Sequence, residues 1–300
     1  MAQSKIVLGS GIVFLAIIII AWIQFQPISE IVEETIQESL VTEEIVATSS
    51  IEVIGTSVEG REIVSETFGN GETDLLFVGG IHGGYEWNSI LLAYEMVDYF
   101  HSNEDMIPAN VTVHIIPVLN PDGLFEATNI EGRFTALDIP NVDIYSAGIG
   151  RFNANDIDLN RNFDCRWSPE STWRSQAVSG GTEPFSEPEA AALRDYVQKI
   201  SPDAAIFWHS RANNVYGSEC GEVVGDETLA LMETYAQAAS YGKVPVFDAY
   251  VVTGAAEDWL ASLGVPTVSV ELETRDSIEW QRNLAGTLAT LELYDTEIVK

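Results

Sequence analysis

The sequence has few lysines, histidines and cysteines for its length of 300 residues. Lysine and arginine together number 14, against 46 aspartate and glutamate residues, so the formal net charge is −32 at pH 7. A chain this acidic repels the phosphate backbone, and we therefore expect no nucleic-acid partner. The acidic residues are spread along the chain, which predicts a solvated surface rather than an acidic tail. Adaptation to a salty medium is one hypothesis that fits this charge.

The only two cysteines are Cys165 and Cys220. Zinc sites built on paired cysteines use close CxxC spacing, which is missing here. In an exported protein the two would form one disulfide bond between two loops, whereas in a reducing compartment both would stay free thiols. The sequence favours the disulfide and leaves the other arrangement open.

The four histidines have different surroundings in the sequence. His101 follows a predicted helix, at an exposed end, and His114 lies inside an alternating strand as an ordinary strand residue. His82 and His209 instead each follow an apolar run, which places them at the carboxyl ends of two predicted strands. In an open α/β sheet, functional sites are built at that edge.

Glu86 follows His82 closely, at the start of the next predicted helix. Two imidazoles and one carboxylate can bind one zinc ion, and catalytic zinc sites use three protein ligands plus an open position for water. His82, Glu86 and His209 are therefore the predicted ligands of one Zn²⁺ per chain. The alternative is two loop histidines without a common function.

A single long apolar run, Ile6–Ile23, is just long enough to span a bilayer. A cleaved signal peptide is the alternative, but no small-x-small cleavage site follows the run closely. Lysine before the run and acidic residues after it orient the remainder of the chain outward. We therefore predict a membrane anchor over 1–26, an acidic stalk over 27–50 and a catalytic domain over 51–300, with secretion after signal cleavage as the alternative location.

Apolar runs alternate with helical patterns from about residue 51 onward. This alternation predicts an α/β fold, three-layer α/β/α, with a mixed, mostly parallel central sheet. The stretch 120–186 is rich in Gly, Asn, Asp and Pro, and a loop region this long is usually functional. The predicted elements are strands at 52–55, 63–68, 75–78, 111–116, 204–208 and 265–271, and helices at 87–101, 187–200 and 226–241.

The segment GRFNANDIDLNRNF places Arg151 and Arg161 in one loop of a very acidic chain. Arginine binds carboxylates through two parallel hydrogen bonds and stays charged. With Asn160 as a neutral donor, the segment predicts a clamp for an anionic group of a substrate. Structural ion pairs with Asp156 and Asp158 are the alternative.

Glu271 ends the apolar strand VPTVSVEL near the C-terminus. A carboxylate in that position could act as general base on a zinc-bound water. Glu273 would face the same side if the strand continued. Tyr250 lies earlier, in a glycine-bearing loop, where it would serve as a mobile hydrogen-bond donor.

These motifs, in this order, resemble the zinc carboxypeptidases of the carboxypeptidase A type, the M14 metallopeptidases. The resemblance covers about 51–295 and rests on GGIHGGYEWN, GRFNANDIDLNRNF, PFSEPEA, the strand ending at His209, and Tyr250 through Glu271. It implies zinc-dependent hydrolysis of the C-terminal peptide bond of peptides or proteins. One departure is the spacing from His82 to Glu86, which is one residue longer than the family's His-x-x-Glu; two glycines make the loop pliable.

The resemblance also implies a role for each candidate residue. Zinc would be held by His82, Glu86 and His209; Glu271 would be general base and acid; Arg151 would polarise the scissile carbonyl; Asn160 and Arg161 would grip the terminal carboxylate; Tyr250 would close over the substrate; and Glu257 would lie at the floor of the side-chain pocket. An acidic floor predicts a preference for basic or amine-bearing terminal residues. Two alternatives remain open, a cell-wall peptide amidase or carboxypeptidase with the same site, and a catalytically inactive surface binding protein.

Overall fold

The computed structural model describes residues 49–140, 143–221 and 223–295. The predicted anchor over 1–26 lies outside these residues, as does the predicted stalk apart from its last two positions. Within the described ranges, no helix is long and apolar enough to cross a membrane.

The centre of the fold is an eight-stranded mixed sheet with the order β1-β2-β4-β3-β7-β10-β8-β9. A separate hairpin pairs β5 with β6. Neighbours β4, β3, β7 and β10 run parallel, whereas β1, β2 and β8 pair antiparallel towards the two edges. The strands are β1 (Ser50–Thr56), β2 (Glu62–Gly69), β3 (Thr73–Val78), β4 (Val111–Ile116), β5 (Glu170–Trp173), β6 (Gln176–Ser179), β7 (Ala204–Ser210), β8 (Asn214–Gly217), β9 (Gly242–Val244) and β10 (Thr267–Leu272).

Helices cover both faces of this sheet. They are α1 (Trp87–Ser102), α2 (Pro121–Thr128), α3 (Ile144–Ala147), α4 (Pro188–Ile200), α5 (Asp226–Ala239), α6 (Ala256–Ser262) and α7 (Trp280–Leu293). Helices α1, α5 and α7 contribute side chains to one hydrophobic core, and helices α4 and α6 contribute to the other. The layers follow from β3, where Leu75 and Phe77 enter the first core while Leu76 and Val78 enter the second. A strand segment buried on both faces is mostly apolar, which is why Leu75–Val78 of β3 is a continuous apolar run.

The parallel strands β3, β7 and β10 bring three predicted site segments to one edge of the sheet. Because β3 and β10 both flank β7 in parallel, their carboxyl ends meet. Glu271 on β10 is directly paired in register with His209 on β7. The α/β fold with a mixed central sheet is confirmed, and this edge carries the candidate site.

The loop-rich stretch 120–186 contains more regular structure than its composition predicts. Helix α2 begins at Pro121, and the side chain of Asn120 caps it by accepting from the Gly123 amide at 2.8 Å. The helix was missed because Pro-Asp-Gly is also a turn signal, although proline suits the first position of a helix. The sequence also did not predict the short strands of the β5–β6 hairpin, strands β8 and β9, or helices α6 and α7. Strand β4, by contrast, agrees with its predicted range residue for residue.

Candidate active site

The loop after β3 brings His82 and Glu86 to the same place. Gly83–Glu86 forms one 3₁₀ turn that leads directly into α1, so the longer spacing is taken up as a tight turn. Gly83 has φ +45°, and a Cβ there would lie 2.6 Å from the carbonyl oxygen of Gly150. Only glycine allows this close approach of two backbones, which fixes the loop against the segment that carries Arg151.

His82, Glu86 and His209 form a buried cluster in which one potential ligand atom of each lies within 4.8 Å of the others. Nδ1 of His209 is 3.1 Å from Oε2 of Glu86, and the two imidazole rings have centroids 5.2 Å apart. The structure therefore brings together the three residues that were predicted as metal ligands.

Two carboxylates stand behind the two histidines. Nε2 of His209 is 2.6 Å from Oε1 of Glu257, within hydrogen-bond distance, whereas Nδ1 of His82 is 3.7 Å from Oδ1 of Asp158, beyond hydrogen-bond distance. A histidine that donates its outer N–H to a carboxylate has its tautomer and ring orientation fixed, as is usual for metal ligands. In His209, Nε2 faces Glu257 and Nδ1 faces Glu86.

The electrostatics of the cluster suit a cation. Burial and the charge of Arg151 lower the pKa of His82 well below its usual value, so this imidazole is neutral and can donate a lone pair. Burial also acts to lower the pKa of His209, but its hydrogen bonds to Glu257 and Glu86 outweigh burial and raise it. The two carboxylates thus stabilise positive charge at His209.

The donor set and its unpaired atoms fit zinc. Two histidines and one glutamate are a known ligand set of catalytic zinc, which needs three protein ligands. Nδ1 of His82 is buried and has no hydrogen-bond partner among the residues that the structure describes. A buried polar atom without a partner costs free energy, and a metal ion at the cluster would remove that cost.

Glu271 lies beside this cluster at the end of β10. Burial, together with the charge of Glu86, raises its pKa to about 7. Its Oε2 atom is buried, and within the described part of the chain it has no hydrogen-bond partner. A carboxylate with such a pKa can both accept and return a proton near neutral pH. Glu273 does not share this position, because β10 ends at Leu272 and the exposed Glu273 pairs with Arg282 at 2.9 Å.

The predicted anion-binding residues lie in the wall of the same cavity. Arg151 is buried and donates through Nη2 to Oδ2 of Asp158 at 2.8 Å, so the alternative of an ion pair is also realised. Arg161 donates to the carbonyl oxygens of Asn160 at 2.5 Å and Thr172 at 3.1 Å, and has no carboxylate partner among the described residues. The structure therefore leaves the charge of Arg161 available to a ligand.

The side chain of Asn160 is held from two directions. Its Oδ1 accepts from the backbone amide of Ala256 at 2.8 Å, and its Nδ2 is 3.3 Å from Oε1 of Glu257. These contacts fix the amide at the start of α6. Tyr250 is half-buried in the cavity wall, where its ring packs edge-on against Phe247 with centroids 4.9 Å apart.

The cavity has a volume of about 750 Å³. It is lined by all the predicted site residues named above, together with Trp173, Arg174, Arg211 and Arg275. This volume accommodates a short peptide segment, since ligand pockets of this kind span roughly 300–1,000 Å³.

Glu257 has a different environment from the predicted floor of a side-chain pocket. It lines the cavity but is only 3% exposed, and its carboxylate is bound to His209 and to Asn160. Hydrogen bonding to His209 holds its pKa below the usual value, even though burial acts in the opposite direction. The carboxylate is therefore ionised and already paired, because α6 begins next to β7.

Cys165 and Cys220 form a disulfide bond. The bond joins the loop after the Asn160–Arg161 segment to the loop after β8, as the sequence favoured. Arg166, beside Cys165, pairs with Glu219, beside Cys220, at 2.9 Å and so crosses between the same two loops.

Several residues of the site had no signal in the sequence. Tyr85 is fully buried between the aromatic rings of Trp173 and Tyr145. Arg174 and Arg275 approach Tyr85 from different loops. The basic character of both arginines in so acidic a chain was the only available hint, because their positions depend on packing.

A family model for zinc carboxypeptidases matches residues 39–282 of the chain. Carboxypeptidase B of Astacus astacus is 26% identical over 253 residues, which is 76% of this chain and 80% of that protein. Several other curated relatives are much longer proteins, of which the matches span 10 to 25%.

Solved structures share the fold. Carboxypeptidase A from Helicoverpa armigera superposes with a TM-score of 0.63 at 18% identity, covering 83% of this chain and 70% of that one. The murein-tripeptide amidase MpaA from Escherichia coli O157 superposes with a TM-score of 0.53 at 22% identity, covering 82% of this chain and 92% of that one. At these identities the likeness concerns the fold.

Proposed function

The chain belongs to the zinc carboxypeptidase family, and from this premise we propose that it is a zinc-dependent metallocarboxypeptidase acting on the C-termini of peptides or proteins. The observation that carries the proposal is the meeting of His82, Glu86 and His209 with Glu271 in one cavity. Metal ligands and a carboxylate with a raised pKa are the two components that metal-assisted peptide hydrolysis needs.

Glu271 performs the proton transfers in this proposal. A zinc ion held by His82, Glu86 and His209 would supply a water of lowered pKa and a Lewis acid for the scissile carbonyl. Glu271 accepts the proton of the attacking water and then donates it to the leaving amine. Its Oε2 accepts no hydrogen bond from the described residues, which supports this role because that oxygen can then bind a proton.

The arginines of the cavity wall bind the substrate in this proposal. Arg151, held by Asp158, stabilises negative charge that develops on the carbonyl oxygen. Arg161 and Asn160 bind the terminal carboxylate, and this requirement for a free carboxylate makes the enzyme an exopeptidase. Tyr250 contributes a hydroxyl from the cavity wall over the bound substrate.

The test is a direct assay of the purified full-length chain. We expect one zinc ion per chain and release of C-terminal residues from a mixed peptide library, with loss of release when a chelator removes the metal. The residues released define the side-chain preference. Zinc without trimming of any peptide would contradict the carboxypeptidase proposal and favour a binding protein, whereas absence of zinc would contradict the metal site itself.

A second candidate is an amidase or carboxypeptidase acting on cell-wall peptides through the same residues. It is supported by the structural likeness to a murein-tripeptide amidase and by 23% identity to a gamma-D-glutamyl-L-diamino acid endopeptidase of Lysinibacillus sphaericus over 66% of the chain. Soluble murein tripeptide, assayed beside the library, separates the two. Faster cleavage of the murein peptide would favour the second candidate.

For its location we propose an outward-facing catalytic domain attached to a membrane, with secretion as the alternative. The disulfide supports an oxidising compartment, since such bonds are rare in reducing ones. Fractionation of producing cells tests this: the chain should stay with the membrane and be digested by protease added outside. Recovery in the cytosol would contradict the proposal.

A further inference from the structure

Three arginines are arranged around the buried side chain of Tyr85. The guanidinium of Arg275 lies 4.1 Å from the centre of the Tyr85 ring, and its Nη1 donates to the Tyr85 carbonyl oxygen at 3.2 Å. Nη2 of Arg174 donates to the Tyr85 hydroxyl at 2.8 Å. Arg151 lies over the neighbouring Trp173 ring at 4.5 Å. One tyrosine therefore positions two arginines, Arg174 and Arg275, which come from different loops.

Tyr85 lies in the lengthened stretch between His82 and Glu86. Its backbone amide donates to the carbonyl oxygen of His82 at 3.1 Å within the 3₁₀ turn. This turn directs the aromatic ring of Tyr85 to the wall where Arg174 and Arg275 lie.

The charges of these two arginines are not neutralised by the protein. Most described lysines and arginines lie within 4.0 Å of a carboxylate oxygen. Among the described residues, four arginines have no such carboxylate, and all four line the cavity: Arg161, Arg174, Arg211 and Arg275. The cavity wall also carries six carboxylates, four of which are paired with Arg166 or His209. In a chain with 46 acidic residues, four arginines without a carboxylate partner in one cavity favour an anionic ligand.

Arg275 is also close to the reacting groups. It lines the same cavity as Glu86 and Glu271. Asn88 of α1 supports the loop before and after it, donating to the carbonyl oxygens of Thr274 at 2.9 Å and Ser277 at 3.0 Å. The Arg275 guanidinium is therefore a positioned group beside the metal cluster rather than a mobile surface charge.

We propose that Arg174 and Arg275 form a second anion-binding position, which binds a carboxylate on the substrate residue that precedes the scissile bond. The inference rests on the proposed function, because that function assigns the terminal carboxylate to Asn160 and Arg161. The substrate class is then an acidic peptide with a carboxylate on each side of the bond that is cleaved. Two guanidinium groups around one carboxylate give charge-assisted hydrogen bonds.

Two kinds of glutamyl substrate present this chemistry. In an α-linked glutamyl peptide the free carboxylate belongs to the side chain, and in a γ-linked one it is the α-carboxylate. In both isomers three carbon atoms separate the scissile carbonyl from the free carboxylate, and the isomers differ only in which carbon carries the nitrogen. The arginine pair recognises the carboxylate, and the experiment distinguishes the two sources.

The experiment uses the zinc-loaded full-length chain and three N-acylated peptides that share one terminal residue. The preceding residue is α-linked glutamate, γ-linked glutamate or α-linked glutamine. We expect kcat/KM for at least one glutamate peptide to exceed that for the glutamine peptide by about ten- to a hundredfold. The isomer that shows the larger excess identifies the source of the carboxylate.

The variants Arg174→Gln and Arg275→Gln should each remove most of this excess while the glutamine peptide is still cleaved. Retained cleavage of the neutral peptide also shows that the variant is folded. Arg211→Gln is the matched control, since Arg211 lines the same cavity without contacting Tyr85; it should keep the excess. An equal loss in Arg211→Gln would overturn the proposal in favour of a diffuse positive potential.

Binding of the same peptides to the Glu271→Gln variant, measured by calorimetry, separates this proposal from the proposed function. Tighter binding of a glutamate peptide that depends on Arg174 and Arg275 would support the second anion position even if the wild type cleaves none of the peptides. Equal affinity for the glutamate and glutamine peptides, or a preference that survives both substitutions, would overturn it.

Discussion

Glu257 connects two parts of the site, because its carboxylate contacts both a candidate metal ligand and a candidate substrate-binding residue. Nε2 of His209 is 2.6 Å from Oε1 of Glu257, and Nδ2 of Asn160 is 3.3 Å from the same oxygen. With the carboxylate buried between them, its negative charge orients His209 before it can meet a substrate. A positively charged side chain on the terminal residue of a substrate would have to compete with His209 for the Glu257 carboxylate.

Replacing Glu257 by glutamine keeps the shape of the side chain and removes its charge. We expect the affinity for zinc to fall about 10- to 100-fold, because an outer carboxylate fixes the orientation and basicity of a histidine ligand. Competition with a chromophoric chelator measures this. Ser269→Ala is the control, as Ser269 makes only a 3.3 Å contact to the same carboxylate. Unchanged zinc affinity with a lost preference for basic termini would instead support the pocket-floor role.

Glu271 and Glu273 offer a paired test of the general base. Glu271→Gln should lower kcat by about 10²- to 10⁴-fold, the range expected for a lost general base, while zinc content stays at one per chain. Glu273→Gln should leave kcat near the wild-type value, since Glu273 is exposed and paired with Arg282. Steady-state kinetics and metal analysis of both variants decide the assignment. Equal activity of Glu271→Gln and wild type would remove Glu271 from the mechanism.

At the scale of elements, the parallel strands and the disulfide arrange the cavity walls. Strands β3, β7 and β10 fix the cluster of His82, Glu86 and His209 beside Glu271 at one sheet edge. The hydrogen-bond ladder between these strands sets the distances between the side chains. The walls are irregular segments and depend on cross-links instead. The Cys165–Cys220 bond and the Arg166–Glu219 ion pair are two such links.

Removing the disulfide should destabilise the fold measurably. Cys165 and Cys220 are 55 residues apart, and closing a loop of that length lowers the entropy of the unfolded chain by an amount worth about 4 kcal/mol at 25 °C. The double variant C165S/C220S should therefore have a lower free energy of unfolding, measured by urea titration. Wild type in reducing agent should behave like the variant. Identical urea midpoints for oxidised wild type and variant would contradict the prediction.

At the scale of the whole molecule, the net charge of −32 contrasts with a cavity whose lining carries six arginines and six carboxylates. Like charges spread over a folded surface repel one another and destabilise the compact state. Anionic ligands meet an overall repulsive field, and the arginines in the cavity offset it locally.

Salt should therefore stabilise this protein. Added salt shortens the range of electrostatic repulsion, because the Debye length is about 8 Å at 0.15 M and 3 Å at 1 M. Added NaCl therefore reduces the repulsion between surface carboxylates. A gain of about 1–2 kcal/mol would raise the melting temperature by roughly 2–8 °C. Melting curves across NaCl concentrations at pH 7 test this. A flat dependence, or the same slope near pH 4 where carboxylates become protonated, would contradict the explanation.

Local signals in the sequence were enough for the α/β fold and for choosing His82, Glu86 and His209 as candidate metal ligands. Apolar runs indicated β3 and β7, because a strand buried on both faces is mostly apolar, and His82 and His209 were assigned from their places after those runs. The two glycines after His82 were expected to make the loop pliable, and the 3₁₀ turn Gly83–Glu86 accommodates the extra residue. These features depend on neighbours in the chain, so the sequence by itself determined them.

The tertiary structure decided which charged side chains from distant segments contact one another. The Glu257–His209 contact joins residues 48 positions apart, and the approach of Arg275 to Tyr85 spans 190 positions. Whether β10 continued to Glu273 depended on how its neighbours ended, which no local pattern encodes. The physical reason is the same in each case: a side chain's partner is set by packing of whole elements, whereas its tendency to lie at a strand end is set by the residues beside it.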